Sequence, residues 1–152
     1  MARSEKKPAA APPPATRCGY VALIGAPNAG KSTLLNRLVG QKLAIVTPKV
    51  QTTRSRLLGI ATDDATQLIF VDTPGIFEPR RRLDRAMVAA AWAGASDADE
   101  TVLLVDAARG ADPNTRRIVE RLKAGGRKAI LALNKIDLVR RDTLLALSLI
   151  HI

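Results

Sequence analysis

Three short polar motifs follow one another along the chain, and each contains residues that can hold part of a nucleotide. They are Gly25–Ser32 (GAPNAGKS), Asp72–Gly75 (DTPG) and Asn134–Asp137 (NKID). The first motif fits the pattern G-x-x-x-x-G-K-[ST], in which a glycine-rich loop lets backbone N–H groups surround phosphates. In this order, the three motifs predict a site for a nucleoside triphosphate.

The third motif predicts which base is bound. The Asp137 carboxylate can accept hydrogen bonds from N1–H and the 2-amino group of guanine. Adenine has an acceptor at N1 and no amino group at C2, so it would leave the carboxylate desolvated without a partner. A site built on such polar groups strongly rejects the analogue that lacks them. We therefore expect GTP and GDP, not ATP, to bind, with Asn134 and Lys135 completing the base site.

The residues of the phosphate loop have separate expected roles. The backbone N–H groups of Asn28 to Thr33 should surround the β-phosphate at the positive end of a helix. Lys31 should bridge the β- and γ-phosphates, and the Ser32 hydroxyl should ligate Mg²⁺. The nucleotide contacts predicted in this loop are Gly25, Asn28, Ala29, Gly30, Lys31, Ser32 and Thr33.

The second motif follows an apolar segment that ends at Asp72. A carboxylate in that place can hold Mg²⁺ through water. The Gly75 N–H is expected to meet the γ-phosphate, and Thr73 and Pro74 complete the nucleotide-binding turn. Taken alone, D-x-x-G is more often an ordinary turn, so its meaning depends on its place between the other two motifs.

The elements that must position these motifs follow from the hydrophobic pattern. The predicted strands are Tyr20–Gly25, Arg56–Thr62, Gln67–Asp72, Thr101–Val105 and Lys128–Leu133. The predicted helices are Lys31–Val39, Leu83–Gly94, Asn114–Lys123 and one that starts at Arg141. This alternation predicts an α/β fold with a mostly parallel sheet, one antiparallel edge hairpin and helices on both faces. Ligands bind such sheets at the carboxyl ends of the strands, where all three motifs lie.

Composition limits the class of protein further. The 152 residues suffice for one domain, and a net charge of +10 fits either a nucleic-acid or anionic-lipid partner or simply an Arg-rich solvated surface. The aromatic content of 3% argues against a surface that stacks RNA bases. Residues 1–16 are rich in Ala and Pro and predict a disordered tail, and the single Cys18 leaves no disulfide partner in the chain.

The last six residues, Leu147–Ile152 (LSLIHI), are what the end sequence of a transposon adapter used for DNA libraries encodes. An ordinary helical segment is the alternative interpretation. We predict that residues 147–152 derive from the adapter and that the incomplete GTPase domain covers residues 17–146.

Between Tyr20 and Asp142 the chain resembles the Era family, which belongs to the translation-factor-related class of P-loop GTPases. The resemblance depends on Gly25–Asn36, Gln51–Arg54 and Asp72–Gly75. Compared with that family, we expect three parts to be absent: the last strand and helix of the sheet, a fifth nucleotide motif, and a C-terminal KH domain that reads small-subunit ribosomal RNA.

The resemblance also implies roles for the two switch segments. Lys42–Leu57 would be the first switch, with Thr53 ligating Mg²⁺ and sensing the γ-phosphate, and Thr52 as the alternative ligand. The second switch would start at Asp72 and include Phe77–Arg85. The implied Mg²⁺ ligands are Ser32, Thr53 and Asp72, and the implied catalytic residues are Lys31, Thr53, Asn28 and Gly75.

Ile76 stands where Ras-like enzymes have a Gln that orients the attacking water. Isoleucine cannot do this, so hydrolysis should be slow unless another charge is supplied. In related GTPases an Asn at the position of Asn28 helps to hold K⁺, which implies the same use of Asn28 here.

The function that the resemblance implies is a GTP-hydrolysing switch in small-subunit assembly and rRNA maturation. The expected partners are small-subunit ribosomal RNA and the ribosomal subunit, bound mainly through the C-terminal domain that we expect to be absent. A cytoplasmic location is implied, with peripheral contact at the inner membrane as a further expectation. The alternatives are a sister GTPase of tRNA modification or large-subunit assembly, and an inactive nucleotide-binding fragment.

Overall fold

The computed structural model describes residues 16–44, 46 and 57–148. Its strands are β1 (Arg17–Ile24), β2 (Leu57–Asp63), β3 (Thr66–Asp72), β4 (Glu100–Asp106) and β5 (Ile130–Asn134). Its helices are α1 (Lys31–Val39), α2 (Arg82–Asp97), α3 (Pro113–Ala124), the 3₁₀ helix Ile136–Leu138 and α4 (Arg141–Ser148). Within the predicted first switch, residues 45 and 47–56, which include Thr52 and Thr53, lie outside the described residues, as do residues 1–15 and 149–152.

The described strands form one sheet in the order β2-β3-β1-β4-β5. The β1/β3, β1/β4 and β4/β5 pairs are parallel, and β2/β3 is an antiparallel hairpin at one edge. The predicted fold class is therefore confirmed. Several bounds differ: β1 begins at Arg17 rather than Tyr20 because Arg17 pairs with Thr66 of β3. Asp63 lies in β2, and the turn that follows has Asp64 at φ 47°.

Two apolar clusters cover opposite faces of the sheet. The larger one joins β1, β4 and β5 to α2 and α3, and Trp92 and Ile118 are among its buried helical members. The smaller one joins β1, β2 and β3 to α1 through the fully buried Leu35. Helices thus lie on both faces, as predicted, and the loops that carry the three motifs are left at the carboxyl edge.

The ends of α1 and α3 follow from local sequence. Gly40 ends α1 in the left-handed conformation, at φ 74°, which glycine adopts without strain. At α3, the Asp112 side chain accepts the Thr115 N–H at 2.7 Å, and Pro113 occupies the first helical position. The predicted bounds of α1 are the observed ones, and those of α3 differ by one residue at each end, because the prediction started α3 after Pro113.

The first residues of the segment predicted to derive from the adapter belong to the last helix of the fold. α4 continues to Ser148, and Leu147 is buried, at 6% exposure. A Cβ on Gly110 would lie 3.8 Å from a Leu147 methyl carbon, which places Leu147 against the loop after β4. The apolar side chain of Leu147 therefore falls on the inward face of α4. The origin of the segment stays a prediction.

Candidate nucleotide-binding site

The phosphate loop connects β1 to α1 and contains three residues at positive φ. Gly25 has φ 156°, Asn28 has φ 62° and Gly30 has φ 105°. A Cβ at Gly25 would collide with the carbonyl of Leu104, and one at Gly30 would collide with the Asn134 amide. The two glycines therefore let the loop lie directly against the end of β4 and the third motif.

Lys31 is the first residue of α1 and points back into this loop. Its Nζ donates to the carbonyl oxygens of Gly25 at 3.2 Å and Ala26 at 3.1 Å, and the residue is 7% exposed. Burial lowers the pKa of Lys31 from 10.5 to about 8, although the Asp72 carboxylate opposes that shift. An anionic phosphate would supply the negative charge that this desolvated ammonium favours.

Ser32 and Asp72 meet beside Lys31. The Ser32 hydroxyl donates to Asp72 Oδ2 at 2.9 Å, and Asp72 is fully buried at the end of β3. A hydroxyl and a carboxylate are hard oxygen ligands, which suit Mg²⁺. This set of oxygen atoms therefore fits the predicted Mg²⁺. The Ser32 hydroxyl would ligate the ion directly, and the Asp72 carboxylate would hold it through water. Mg²⁺ bound there would neutralise charge on the β- and γ-phosphates.

The first turn of α1 directs its N–H groups toward the loop, as the helix N-terminus of a phosphate site requires. The Ala29 N–H is directed to the Ala26 carbonyl at 3.3 Å, and its contact with a phosphate stays a prediction. Thr33 is exposed on the same first turn. The loop therefore contains a turn that is closed by its own backbone hydrogen bond.

The second motif folds back over the phosphate loop. The buried Thr73 hydroxyl donates to the Leu23 carbonyl at 2.7 Å, and the Ile76 N–H donates to the Gly25 carbonyl at 3.0 Å. A Cβ on Gly75 would lie 2.9 Å from Pro27 Cα, so only glycine allows this contact. The first two motifs are therefore in direct backbone contact.

Ile76 packs into the larger apolar cluster at 5% exposure. Its side chain belongs to the core and does not face the phosphate loop. The sequence predicts that Ile76 cannot orient water, and the structure gives this residue a packing role.

The third motif is attached to the phosphate loop by two side chains. Asn134 Nδ2 donates to the Ala29 carbonyl at 2.9 Å, and Lys135 Nζ donates to the Asn28 carbonyl at 3.1 Å. Asp137 lies in the 3₁₀ helix that follows and is exposed. The third motif therefore lies directly against the phosphate loop, and Asp137 is accessible to a ligand beside it.

Asp106 is a site residue that the sequence analysis missed. Its Oδ2 lies 2.6 Å from Lys135 Nζ, and its Oδ1 accepts the Ala108 N–H at 3.0 Å. Burial raises the pKa of Asp106, but the hydrogen bond and charge of Lys135 bring it below its ordinary value. The available signal was its place at the end of a buried strand, which matches that of Asp72.

These features define a P-loop GTPase domain. A family model described as 50S ribosome-binding GTPase matches residues 20–135, so the chain belongs to that family, within which its similarity is to Era. GTPase Era of Mesorhizobium japonicum is 62% identical over 135 residues, which are 89% of this chain and 44% of that protein. GTPase Era of Caulobacter vibrioides is 58% identical over 147 residues, covering 88% of this chain and 46% of that protein.

Solved structures agree with this relationship. A crystal structure of Era in complex with MgGDPNP and nucleotides 1506–1542 of 16S ribosomal RNA has a TM-score of 0.81 and 40% identity, covering 88% of this chain and 46% of that one. A point variant of Aquifex aeolicus Era bound to GDP·AlF₄⁻ has a TM-score of 0.79 at 40% identity, covering 86% and 45%. The chain spans about half the length of the curated relatives it matches.

Within residues 16–44 and 57–148, no helix has the length and apolar character needed to cross a membrane.

Proposed function

We propose that this chain binds and hydrolyses GTP as the switch domain of an Era-type protein that acts on the small ribosomal subunit. The observation that carries the proposal is the joining of the three motifs: Ser32 contacts Asp72, and Asn134 and Lys135 contact the phosphate loop. This arrangement supports a single site in which Asp137 would read guanine, the phosphate loop would hold the phosphates, and Ser32 and Asp72 would hold Mg²⁺.

The proposed ribosomal partner is supported by the Era structure that contains 16S ribosomal RNA. The net charge of +10 suits an RNA partner, because cationic side chains release counterions from the phosphate backbone. A cytoplasmic location follows from such a partner. Peripheral membrane contact stays an expectation from the family resemblance.

The RNA proposal is tested by titrating a 16S fragment of nucleotides 1506–1542 with the full-length parent protein, which would include the expected KH domain, loaded with GDPNP or GDP. We expect the GDPNP form to bind more tightly than the GDP form, and affinity to fall as salt increases. An equally long large-subunit rRNA fragment is the control. Equal affinity for both RNAs in both nucleotide states would contradict a small-subunit role and favour the sister-GTPase alternative.

We further propose that Asn28 helps to hold a K⁺ ion that supplies positive charge during hydrolysis. The supporting observation is that Ile76 is packed in the core, so the residue after the second motif does not serve the reaction. Asn28 sits at φ 62° in the phosphate loop, where its backbone carbonyl is fixed by Lys135. A monovalent cation near the phosphates would supply the charge that an arginine finger supplies in other GTPases.

Replacing Na⁺ by K⁺ at equal ionic strength should raise GTP hydrolysis by about tenfold or more, measured as phosphate release. Asn28→Gly should remove this stimulation and keep GDP binding, because glycine tolerates the positive φ. Asn28→Ala serves as a comparison that also strains the loop. Potassium stimulation that survives in Asn28→Gly would show that the side chain does not hold the ion.

A further inference from the structure

Three successive carbonyl groups of the phosphate loop accept donors from other loops, and they belong to Pro27, Asn28 and Ala29. Asn134 Nδ2 donates to the Ala29 carbonyl at 2.9 Å, and Lys135 Nζ donates to the Asn28 carbonyl at 3.1 Å. In the loop after β4, Arg109 Nη1 lies 3.5 Å from the Pro27 carbonyl oxygen. Side chains from two neighbouring loops therefore bind the outer side of the phosphate loop.

These carbonyl contacts also decide where the loop's N–H groups point. The C=O and N–H groups of one trans peptide unit point in opposite directions. Lys135 binds the Asn28 carbonyl. The Ala29 N–H of the same peptide unit is directed to the Ala26 carbonyl, which also accepts Lys31 Nζ. A carbonyl held on the outer side therefore goes with an N–H on the side of Lys31, where the phosphates are expected.

Asp106 holds the central donor of this outer set. Its Oδ2 lies 2.6 Å from Lys135 Nζ and 3.8 Å from Arg109 Nε, and its Oδ1 accepts the Ala108 N–H at 3.0 Å. Asp106 is 7% exposed, so its ion pair with Lys135 is shielded from water on the carboxylate side. The Arg109 side chain is half-exposed and makes the weaker contact. Lys135 is thus the cation that depends most on Asp106.

The backbone of Lys135 makes this hold necessary. Lys135 adopts φ 58°, which is uncommon for a residue with a side chain. A conformation of this kind persists when the surrounding structure maintains it. The Lys135 ammonium contacts both the Asp106 carboxylate and the Asn28 carbonyl, at the point where the third motif meets the phosphate loop.

We propose that Asp106 is a positioning residue for the phosphate loop. By fixing the Lys135 ammonium on the Asn28 carbonyl, it keeps that carbonyl on the outer side and the loop's N–H groups on the side that receives the β-phosphate. Without the carboxylate, nucleotide binding has to order Lys135 and the loop at a cost in conformational entropy. GDP and GTP share the β-phosphate and GMP lacks it, so the effect should be equal for the first two and missing for the third. The inference rests on the proposed GTPase function.

The test replaces Asp106 by Asn in the full-length parent protein and measures competition by GDP, GDPNP and GMP against a labelled guanine nucleotide. Asparagine can still accept the Ala108 N–H but loses the charge that holds Lys135. We expect affinity for GDP and GDPNP to fall about tenfold and affinity for GMP to change less than about twofold. Equal loss of GMP and GDP affinity would overturn the proposal, because a merely structural role of Asp106 affects both.

Asp112→Asn is the matched control. The Asp112 carboxylate also accepts a backbone N–H, that of Thr115 at 2.7 Å, and asparagine caps a helix as well as aspartate does. This variant should match the unsubstituted protein for all three nucleotides. A loss in Asp112→Asn equal to that in Asp106→Asn would overturn the proposal, since the effect would then follow from any carboxylate of this loop.

A double-mutant cycle with Lys135→Met tests whether Asp106 acts through Lys135. Lys135→Met alone should lower GDP affinity at least as much as Asp106→Asn does. In the Lys135→Met background, Asp106→Asn should lower GDP affinity no further. An undiminished loss in that background would overturn the proposal, because Asp106 would then act by another route.

Circular-dichroism melting of the nucleotide-free protein separates positioning from folding. Asp106→Asn should melt within a few degrees of the unsubstituted protein. A variant that does not fold would overturn the proposal as well, since the carboxylate would then serve the fold. Absence of GDP binding in the unsubstituted protein would contradict the proposed function itself, whereas unchanged GDP affinity in Asp106→Asn would contradict only this inference.

Discussion

Replacing Asp137 by Asn is expected to change the base specificity from guanine to xanthine. Asparagine keeps one acceptor for N1–H but presents an N–H₂ donor where the carboxylate accepted from the 2-amino group. That donor opposes guanine and matches the 2-oxygen of xanthine. Affinity for GDP should fall by about a hundredfold or more, and affinity for XDP should rise correspondingly.

The measurement is competition of GDP, XDP and ADP against a labelled guanine nucleotide. Asp142→Asn is the matched control, since it removes the same charge from an exposed residue of α4 that pairs with Arg140. ADP should not compete in any variant. Competition by ADP at concentrations similar to GDP in the parent would show that Asp137 does not read the base.

Replacing Lys31 by Met is expected to cost the most in triphosphate binding. Methionine fills a similar volume but removes the buried ammonium that donates to Gly25 and Ala26 and is predicted to bridge the phosphates. Charge-assisted hydrogen bonds contribute roughly 1.5–3 kcal/mol each, so loss of two to GTP predicts about 10²–10⁴-fold weaker binding. The effect on GDP should be smaller because one of the bridged phosphates is absent.

Equilibrium binding of GTP analogues and GDP, together with circular-dichroism melting, separates binding from folding. The nucleotide-free protein should melt near the parent temperature, because the variant also removes a desolvated charge whose burial lowers the pKa of Lys31 to about 8. Lys123→Met changes an exposed lysine of α3 and should leave binding unaltered. Full GTP affinity in Lys31→Met would refute the assignment of the first motif.

Elements with strong local signals were predictable from the sequence. α1 was placed at its observed bounds because apolar residues recur at helical spacing between a phosphate-loop lysine and a glycine that ends the helix. The β2/β3 hairpin was predicted from two apolar runs around a short polar turn. The start of β1 was misplaced, because Arg17 enters the strand only through pairing with β3. Strand ends depend on the partner strand, which local sequence does not encode.

By itself, the sequence determined the three motifs and the order of elements and predicted the ligand class, because the side-chain chemistry and spacing of each motif are local properties. Only the tertiary structure decided how the motifs join: Lys135 is held between Asp106 and the Asn28 carbonyl. It also decided that Ile76 is a core residue. These contacts depend on which strands and loops become neighbours in the sheet, so they link residues that are distant in sequence and leave no pattern within either segment.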